Sequence, residues 1–217
     1  PRRLSGAAHG ASSVEVEAKY DVDDATPLPD WSALPGVSSV GDPEPRDLDA
    51  RYVDTADAAL ARAGVAVRRR RGGPDEGWHV KGPSQGGGRS ERQWPLGDIA
   101  DDEADPIVPP AVQDAVASIA APPFTPLARV RNDRTAYALL DAEGEAVAEF
   151  VDDRVRARDE RRGVDSAWRE WEVELGPAAP EDDQGRATFF AAVDAAVFAA
   201  GGRHAASGSK LARALGH

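Results

Sequence analysis

Three lysines stand among the 26 basic residues of this chain, and each keeps company with groups able to do ionic chemistry. Lys19 closes the run Glu15-Val16-Glu17-Ala18-Lys19, Lys81 ends Trp78-His79-Val80-Lys81, and Lys210 lies in Ser209-Lys210-Leu211. An ammonium is a compact point charge that meets a phosphate differently from the planar guanidinium fork, so lysines kept in an arginine-rich chain point to point-charge roles. On a strand, with its period of two, Glu15, Glu17 and Lys19 share one face while Val14, Val16, Ala18 and Tyr20 share the other. The same alternation returns near the far end, where Glu170, Glu172 and Glu174 interleave with Trp171, Val173 and Leu175. Stacked carboxylates on converging strands need a cation between them. Their hard oxygens suit magnesium, manganese or calcium, whereas zinc would call for histidine or cysteine.

The basic counterpart is the run Arg68-Arg69-Arg70-Arg71, in which strand parity sets Arg68 and Arg70 on one side and Arg69 and Arg71 on the other. Further arginines follow in Arg89-Ser90-Glu91-Arg92 and in Arg129-Val130-Arg131-Asn132-Asp133-Arg134. A formal net charge of −12 argues against a general nucleic-acid surface, which needs many phosphate contacts from a net positive face. Cationic strands alternating with acidic ones repel within each set unless something bridges the two signs, and a polyphosphate carrying a divalent metal does so. Cleaving a phosphoanhydride needs this kind of charge neutralisation, with a metal-bound water as nucleophile. No protein nucleophile competes for the role: the chain has no cysteine, and His9, His79, His204 and His217 are not embedded in a Ser/His/Asp-like arrangement. Gly86-Gly87-Gly88 lacks the lysine and hydroxyl residue of a P-loop and reads as a hairpin loop.

The elements that must hold these groups fit one compact domain of 217 residues without disulfides. Residues 1–13, rich in Gly, Ala and Ser, read as a flexible lead-in, and residues 14–217 as the domain. No run approaches a transmembrane helix, no apolar leader follows the N-terminal arginines, and a cytoplasmic protein is the expectation. Residues 54–64 predict a short capped helix stopped by Gly64. Residues 109–120 and 185–200 carry helical apolar spacing, and Phe189, Phe190, Val193, Val197 and Phe198 form a stripe that should pack as core. A terminal helix over 207–215 would carry Lys210.

In this order the residues resemble the CYTH domain, the family also called triphosphate tunnel metalloenzymes. The resemblance begins at Glu15-x-Glu17-x-Lys19. It continues through Tyr52-Val53-Asp54-Thr55, Leu60 to Gly64, Arg68-x-Arg70, Trp78-x-x-Lys81, Arg89-x-Glu91, Asp152-Asp153-x-Val155, Glu172-x-Glu174 and Ser209-Lys210. It implies an α+β fold, a closed antiparallel β-barrel of roughly eight strands with a polar interior and helices packed outside. Lys19, Arg68, Arg70, Lys81, Arg134 and Lys210 would hold triphosphate oxygens. Glu15, Glu17, Asp153, Glu172 and Glu174 would hold Mg2+ or Mn2+, with Glu15, Glu172 and Glu174 the catalytic carboxylates. The spacing of four from Glu149 favours Asp153 over Asp152, the following Thr135-Ala136-Tyr137 favours Arg134 over Arg131, and Arg89 with Glu91 is open to a structural ion pair.

The activity implied is metal-dependent hydrolysis of inorganic triphosphate or a related compound, with polyphosphate, nucleoside triphosphate and thiamine triphosphate as the other candidates. Two alternatives share these residues: an adenylate cyclase of the same fold, and a non-catalytic polyphosphate-binding module. Residues 209–216 resemble the junction that precedes a CHAD domain, so such a domain is an expected C-terminal partner. Neither a membrane nor sequence-specific nucleic acid is expected as a partner.

Overall fold

A computed structural model describes residues 10–85, 88–97 and 105–217. The fold is dominated by antiparallel strands with few helices. In chain order the strands are β1 (Ala11–Glu15), β2 (Glu17–Val22), β3 (Ser39–Val40), β4 (Glu44–Asp54), β5 (Ala66–Arg71), β6 (Gly77–Gln85) and β7 (Gly88–Trp94), then β8 (Thr125–Leu140), β9 (Ala146–Asp159), β10 (Val164–Leu175) and β11 (Arg203–His204). The helices are α1 (Ala59–Arg62), α2 (Pro110–Val116), α3 (Asp183–Ala200) and α4 (Lys210–Ala214).

The hydrogen-bonded order is β1-β7-β6-β5-β4-β8-β9-β10-β2-β11, with β3 paired to β8 off this path. The eleven-stranded sheet does not close, which corrects the expected closed barrel of about eight strands. Two features account for the difference. The strands β3 and β11 are two-residue additions. In addition, Val16 interrupts what the sequence reads as one strand, so that β1 takes β7 as its partner while β2 takes β10.

The chain divides into two compact units. Unit 1 comprises the chain up to Glu15, Leu48–Arg131 and Ala157–Asp165; unit 2 comprises Val16–Asp47, Asn132–Arg156 and Ser166–His217. Each has its own apolar core.

In unit 1, Val53, Val65, Val67, Trp78, Val80 and Trp94 from the strands pack with Leu60 of α1 and with Val112 and Val116 of α2. The expected capped helix is α1, shorter than its pattern. Its first amides are met by side chains before it, Thr55 Oγ1 accepting from Ala59 N at 2.9 Å and Asp54 accepting from Leu60 N and Ala61 N at 3.0 Å each. Gly64, at φ 70°, then turns the chain into β5 in a conformation that disfavours side chains. The lead-in expected over residues 1–13 is corrected in part, since Ala11, Ser12 and Ser13 pair with Gln93, Arg92 and Glu91; residues 1–9, His9 included, lie outside the described residues. The hairpin expected at 86–88 also falls largely outside them, although Gln85 and Gly88 are cross-strand partners.

In unit 2, one face of β2 and β10 supplies Tyr20, Trp171 and Val173 to a core shared with Trp31, Phe150, Phe189, Val193 and Val197. Each fully buried aliphatic or aromatic side chain contributes about 1.5–3 kcal/mol. The helix expected over 185–200 is α3, N-capped by Asp182, whose side chain accepts from Gly185 N. Its apolar stripe does form core, except that Phe198 remains 46 % exposed. Tyr20 sends its hydroxyl to Asp194 of α3 at 2.6 Å. Apolar packing on one face leaves the opposite face of β2 and β10 to the ionised residues.

Candidate functional site

On β2 and β10 the register sets Lys19 opposite Glu172, Asp21 opposite Glu170 and Glu17 opposite Glu174. Directly opposed residues share a face, so the acidic row and the lysine are brought together by strand pairing alone. Lys19 Nζ donates to Glu17 at 2.8 Å and also to Glu172. Arg134 of β8 forms a two-pronged pair with Asp153 of β9, at 2.8 and 2.7 Å, and reaches Glu172 at 3.0 Å. Lys210, the first residue of α4, places Nζ 2.9 Å from Asp153, 2.6 Å from Glu170 and 2.8 Å from Glu172.

This geometry sets the protonation states. Burial disfavours the charge on Glu172, but Lys19, Lys210 and Arg134 outweigh it and hold the carboxyl well below its usual range. Asp153, fully buried, is lowered in the same contest by Lys210 and Arg134. Lys210 is raised, since Asp153, Glu172 and Glu170 overcome the cost of its burial, and Lys19 is raised by Glu172 and Glu17. All of these groups are charged at neutral pH.

Oxygens of Asp153, Glu170 and Glu172 lie within 4.8 Å of one another, the one grouping among the described residues able to offer a metal three such ligands. The donors are all carboxylate oxygens, which fits a hard divalent cation. Glu174, expected among the ligands, is exposed at the end of β10 and lies outside this group, and Glu170 stands in it. Parity could not separate the two, because 170, 172 and 174 share a face; what distinguishes them is the depth of each along β10. Glu17, also expected as a ligand, meets the group through Lys19. Asp152 turns to the other face of β9, where it accepts from Arg169 at 2.8 Å and from the indole of Trp171 at 3.1 Å. Arg131 is exposed.

Unit 1 holds a second ionic cluster. The register aligns Tyr52, Arg68, His79 and Gln93 in one cross-strand row and Ala66, Lys81, Glu91 and Ser13 in the next, so the residues of both rows that carry charge occupy one face. Lys81 Nζ donates to both oxygens of Glu15 at 2.8 and 2.6 Å and lies 3.6 Å from Glu91. His79 Nδ1 is 2.6 Å from Glu91, and its Nε2 meets the Asp75 carbonyl at 3.0 Å. Arg68 reaches the Tyr52 hydroxyl at 3.2 Å and stands 3.8 Å from Glu91, while Arg70 pairs with Asp75. Arg89 donates to the Gly82 carbonyl rather than to Glu91, which replaces the expected Arg89–Glu91 pair.

Burial, followed by a hydrogen bond that the protonated Glu15 donates to Glu91, pushes the Glu15 carboxyl up to about 7. Glu91 itself is lowered against its burial by His79, Glu15, Lys81 and Arg68. His79 is pushed down to about 4, first by burial and then, against the pull of Glu91, by Arg68 and Arg70. From spacing alone His79 shares a face with Lys81 and reads as a plain strand histidine, because the partners that set it apart, Glu91 of β7 and Asp75 of the turn after β5, are not adjacent in sequence.

The opposite face of β5 differs. Arg69 is buried, paired in register with Arg51 and Trp78, and its guanidinium is destabilised by burial and by the charges of Arg51 and Arg71.

The family model for the CYTH domain matches residues 13–191, and the chain belongs to this family. The uncharacterized proteins MT2285 and Rv2226 of Mycobacterium tuberculosis are each 35% identical over 95% of the chain, and the chain spans 41% of their length. Among solved structures, a candidate adenylate cyclase from Bacillus halodurans is similar in fold, with a TM-score of 0.58 and 15% identity over 93% of this chain and 97% of its own. HpAC1 of Hippeastrum, described as having a dominant triphosphatase activity, has a TM-score of 0.51 and 18% identity over 93% of this chain and 95% of its own.

Proposed function

We propose that the protein is a divalent-metal-dependent triphosphatase acting on inorganic triphosphate or a related triphosphorylated compound. The observation that carries this reading is the alternation of buried carboxylates and cations within unit 2. Asp153, Glu170 and Glu172 offer oxygens to Mg2+ or Mn2+, and Lys19, Arg134 and Lys210 stand around them with charges suited to phosphate oxygens. When bound, such a cation neutralises phosphate oxygens and lowers the pKa of a bound water. The chain's own part is to hold the anionic substrate by point charges, with Lys19 and Lys210 kept protonated by their carboxylate neighbours.

Arg68, Arg70 and Lys81 of unit 1 are assigned to triphosphate binding on the same residue-by-residue resemblance. A CHAD domain beyond α4 and a cytoplasmic location belong to the same proposal; no described helix is long and apolar enough to cross a membrane.

Phosphate release is the test, measured with inorganic triphosphate, long-chain polyphosphate, ATP and thiamine triphosphate, each with Mg2+, Mn2+ or EDTA. Turnover of a triphosphate that vanishes in EDTA and returns with metal is expected. Cyclic AMP formed from ATP would replace this reading with the cyclase, and tight polyphosphate binding without turnover would replace it with a binding module.

A further inference from the structure

The carboxylates able to hold a metal already hold a cation, and it belongs to the chain. Lys210 Nζ lies within 2.9 Å of an oxygen from each of Asp153, Glu170 and Glu172, the position of a bound ion among three ligands. The formal charges leave little room for a second cation. With Glu17 counted, four carboxylates face the three cations Lys19, Arg134 and Lys210, so a divalent ion would turn a cluster of charge −1 into one of +1. In a buried setting, like charges at such distances repel strongly. Withdrawal of one of the chain's cations would bring the cluster to neutrality. Arg134 is fixed to Asp153 by two parallel hydrogen bonds, and Lys19 touches only Glu172 of the three ligands while Glu17 also holds it.

Lys210 is the one that touches all three, and its helix does not depend on it. α4 is capped by Ser209, which accepts from Ala212 N at 3.1 Å, and is seated by buried Leu211 and Ala214 and by the Arg213–Asp21 pair. The four-carbon stem can therefore swing while the backbone stays in place.

We propose that Lys210 is a built-in counterion that competes with the divalent metal for Asp153, Glu170 and Glu172. Metal binding expels the ammonium from the carboxylates and frees it for the incoming phosphate, so metal loading and substrate grip are linked through one side chain. The inference rests on the metal-site reading above and goes beyond it in predicting effects of opposite sign at a single residue.

Two measurements test it without turnover. With only three lysines in the chain, amine acylation followed by mass spectrometry resolves each one. Saturating Mn2+ alone should raise the acylation rate of Lys210 several-fold and leave Lys81, paired with Glu15, unchanged. By titration calorimetry, Lys210→Met should bind Mn2+ at least about tenfold more tightly than the natural protein, since a like charge in contact with the ligands is gone. The same variant should bind triphosphate more weakly. Unchanged Lys210 acylation at saturating Mn2+, or Mn2+ affinity that is unaltered or reduced in Lys210→Met, overturns the exchange. Absence of Mn2+ binding to either protein overturns it as well. Competition observed without triphosphate turnover would sink the functional reading and leave the exchange standing.

Discussion

Two ionic clusters in this molecule use the same residue types and arrive at opposite electrostatic outcomes. In unit 2 buried cations lower the carboxyl of Asp153 and hold that of Glu172 well below its usual range, so both are available as anions. In unit 1 burial, with Glu91 beside it, pushes Glu15 up to about 7, while Glu91 takes the negative charge. Below about pH 7, where Glu15 takes up its proton, Arg68 and Lys81 face one carboxylate, with His79 neutral beside it down to about pH 4. The first arrangement suits a metal ion, the second an anion. What separates them is the number of cations brought to each carboxylate, Lys19 by the register of β2 on β10, Arg134 from β8 and Lys210 from helix α4.

The largest effect that would break this contrast is expected at Glu172. Glu172→Gln removes the charge that Lys19, Arg134 and Lys210 all contact, and triphosphate turnover should fall by roughly 10²–10³ or more, the scale of losing a central electrostatic group. Steady-state phosphate release checks it. Residual activity near that of the natural protein would mean the acids of unit 2 are structural.

Asp153→Asn comes next. The side chain is fully buried and paired in two places with Arg134, so breaking the pair should cost about 3–5 kcal/mol of stability. Denaturant unfolding reads this directly, and a loss below about 0.5 kcal/mol would show that the pair does not hold the fold.

Arg68→Ala sharpens the comparison from the other side. It should weaken triphosphate binding by about 1.5–3 kcal/mol, the scale of a hydrogen bond to a charged group. Arg69→Ala, on the opposite face of β5, should leave triphosphate affinity nearly unchanged. Equal losses in the two would show that the face of β5 does not matter.

The smallest expected effect concerns pH. The folded pKa of Glu15, about 7, lies above its ordinary 4.5, so its stabilising contribution is complete below pH 4.5 and is lost as pH rises to 7. His79, at about 4 instead of 6.5, does the reverse, its contribution being absent below pH 4 and complete above 6.5. Between pH 4.5 and 6.5 the two slopes oppose each other. Glu15→Gln removes one of them, and stability should then climb more steeply with pH across this window, by up to about 1.4 kcal/mol per pH unit. Thermal melts at several pH values would expose parallel slopes if Glu15 is an ordinary carboxylate.

Much of this arrangement was legible in the sequence. Period-two alternation put Arg68 and Arg70 on one face of β5 and Arg69 on the other, and the apolar stripe of α3 identified Phe189, Val193 and Val197 as core. The alternation around Glu172 showed the acidic row of β10, and three scarce lysines each met carboxylates. Less could be read where pattern and parity are degenerate. The break at Val16 divides Glu15 from Glu17 and Lys19, although the alternation on either side of it is the same. Glu170 and Glu174 look alike from spacing, and only the extent of burial along β10 separates them. The cage around His79 depends on Glu91, twelve residues away, and so on the β6–β7 register.

The contrast between the two clusters is tested most directly by Mn2+ binding to the metal-free protein, followed by electron paramagnetic resonance, in Glu172→Gln and Glu15→Gln beside the natural chain. Loss of bound Mn2+ in Glu172→Gln and its retention in Glu15→Gln are the expected results. Mn2+ retained in Glu172→Gln but lost in Glu15→Gln would contradict the assignment of the metal to Asp153, Glu170 and Glu172.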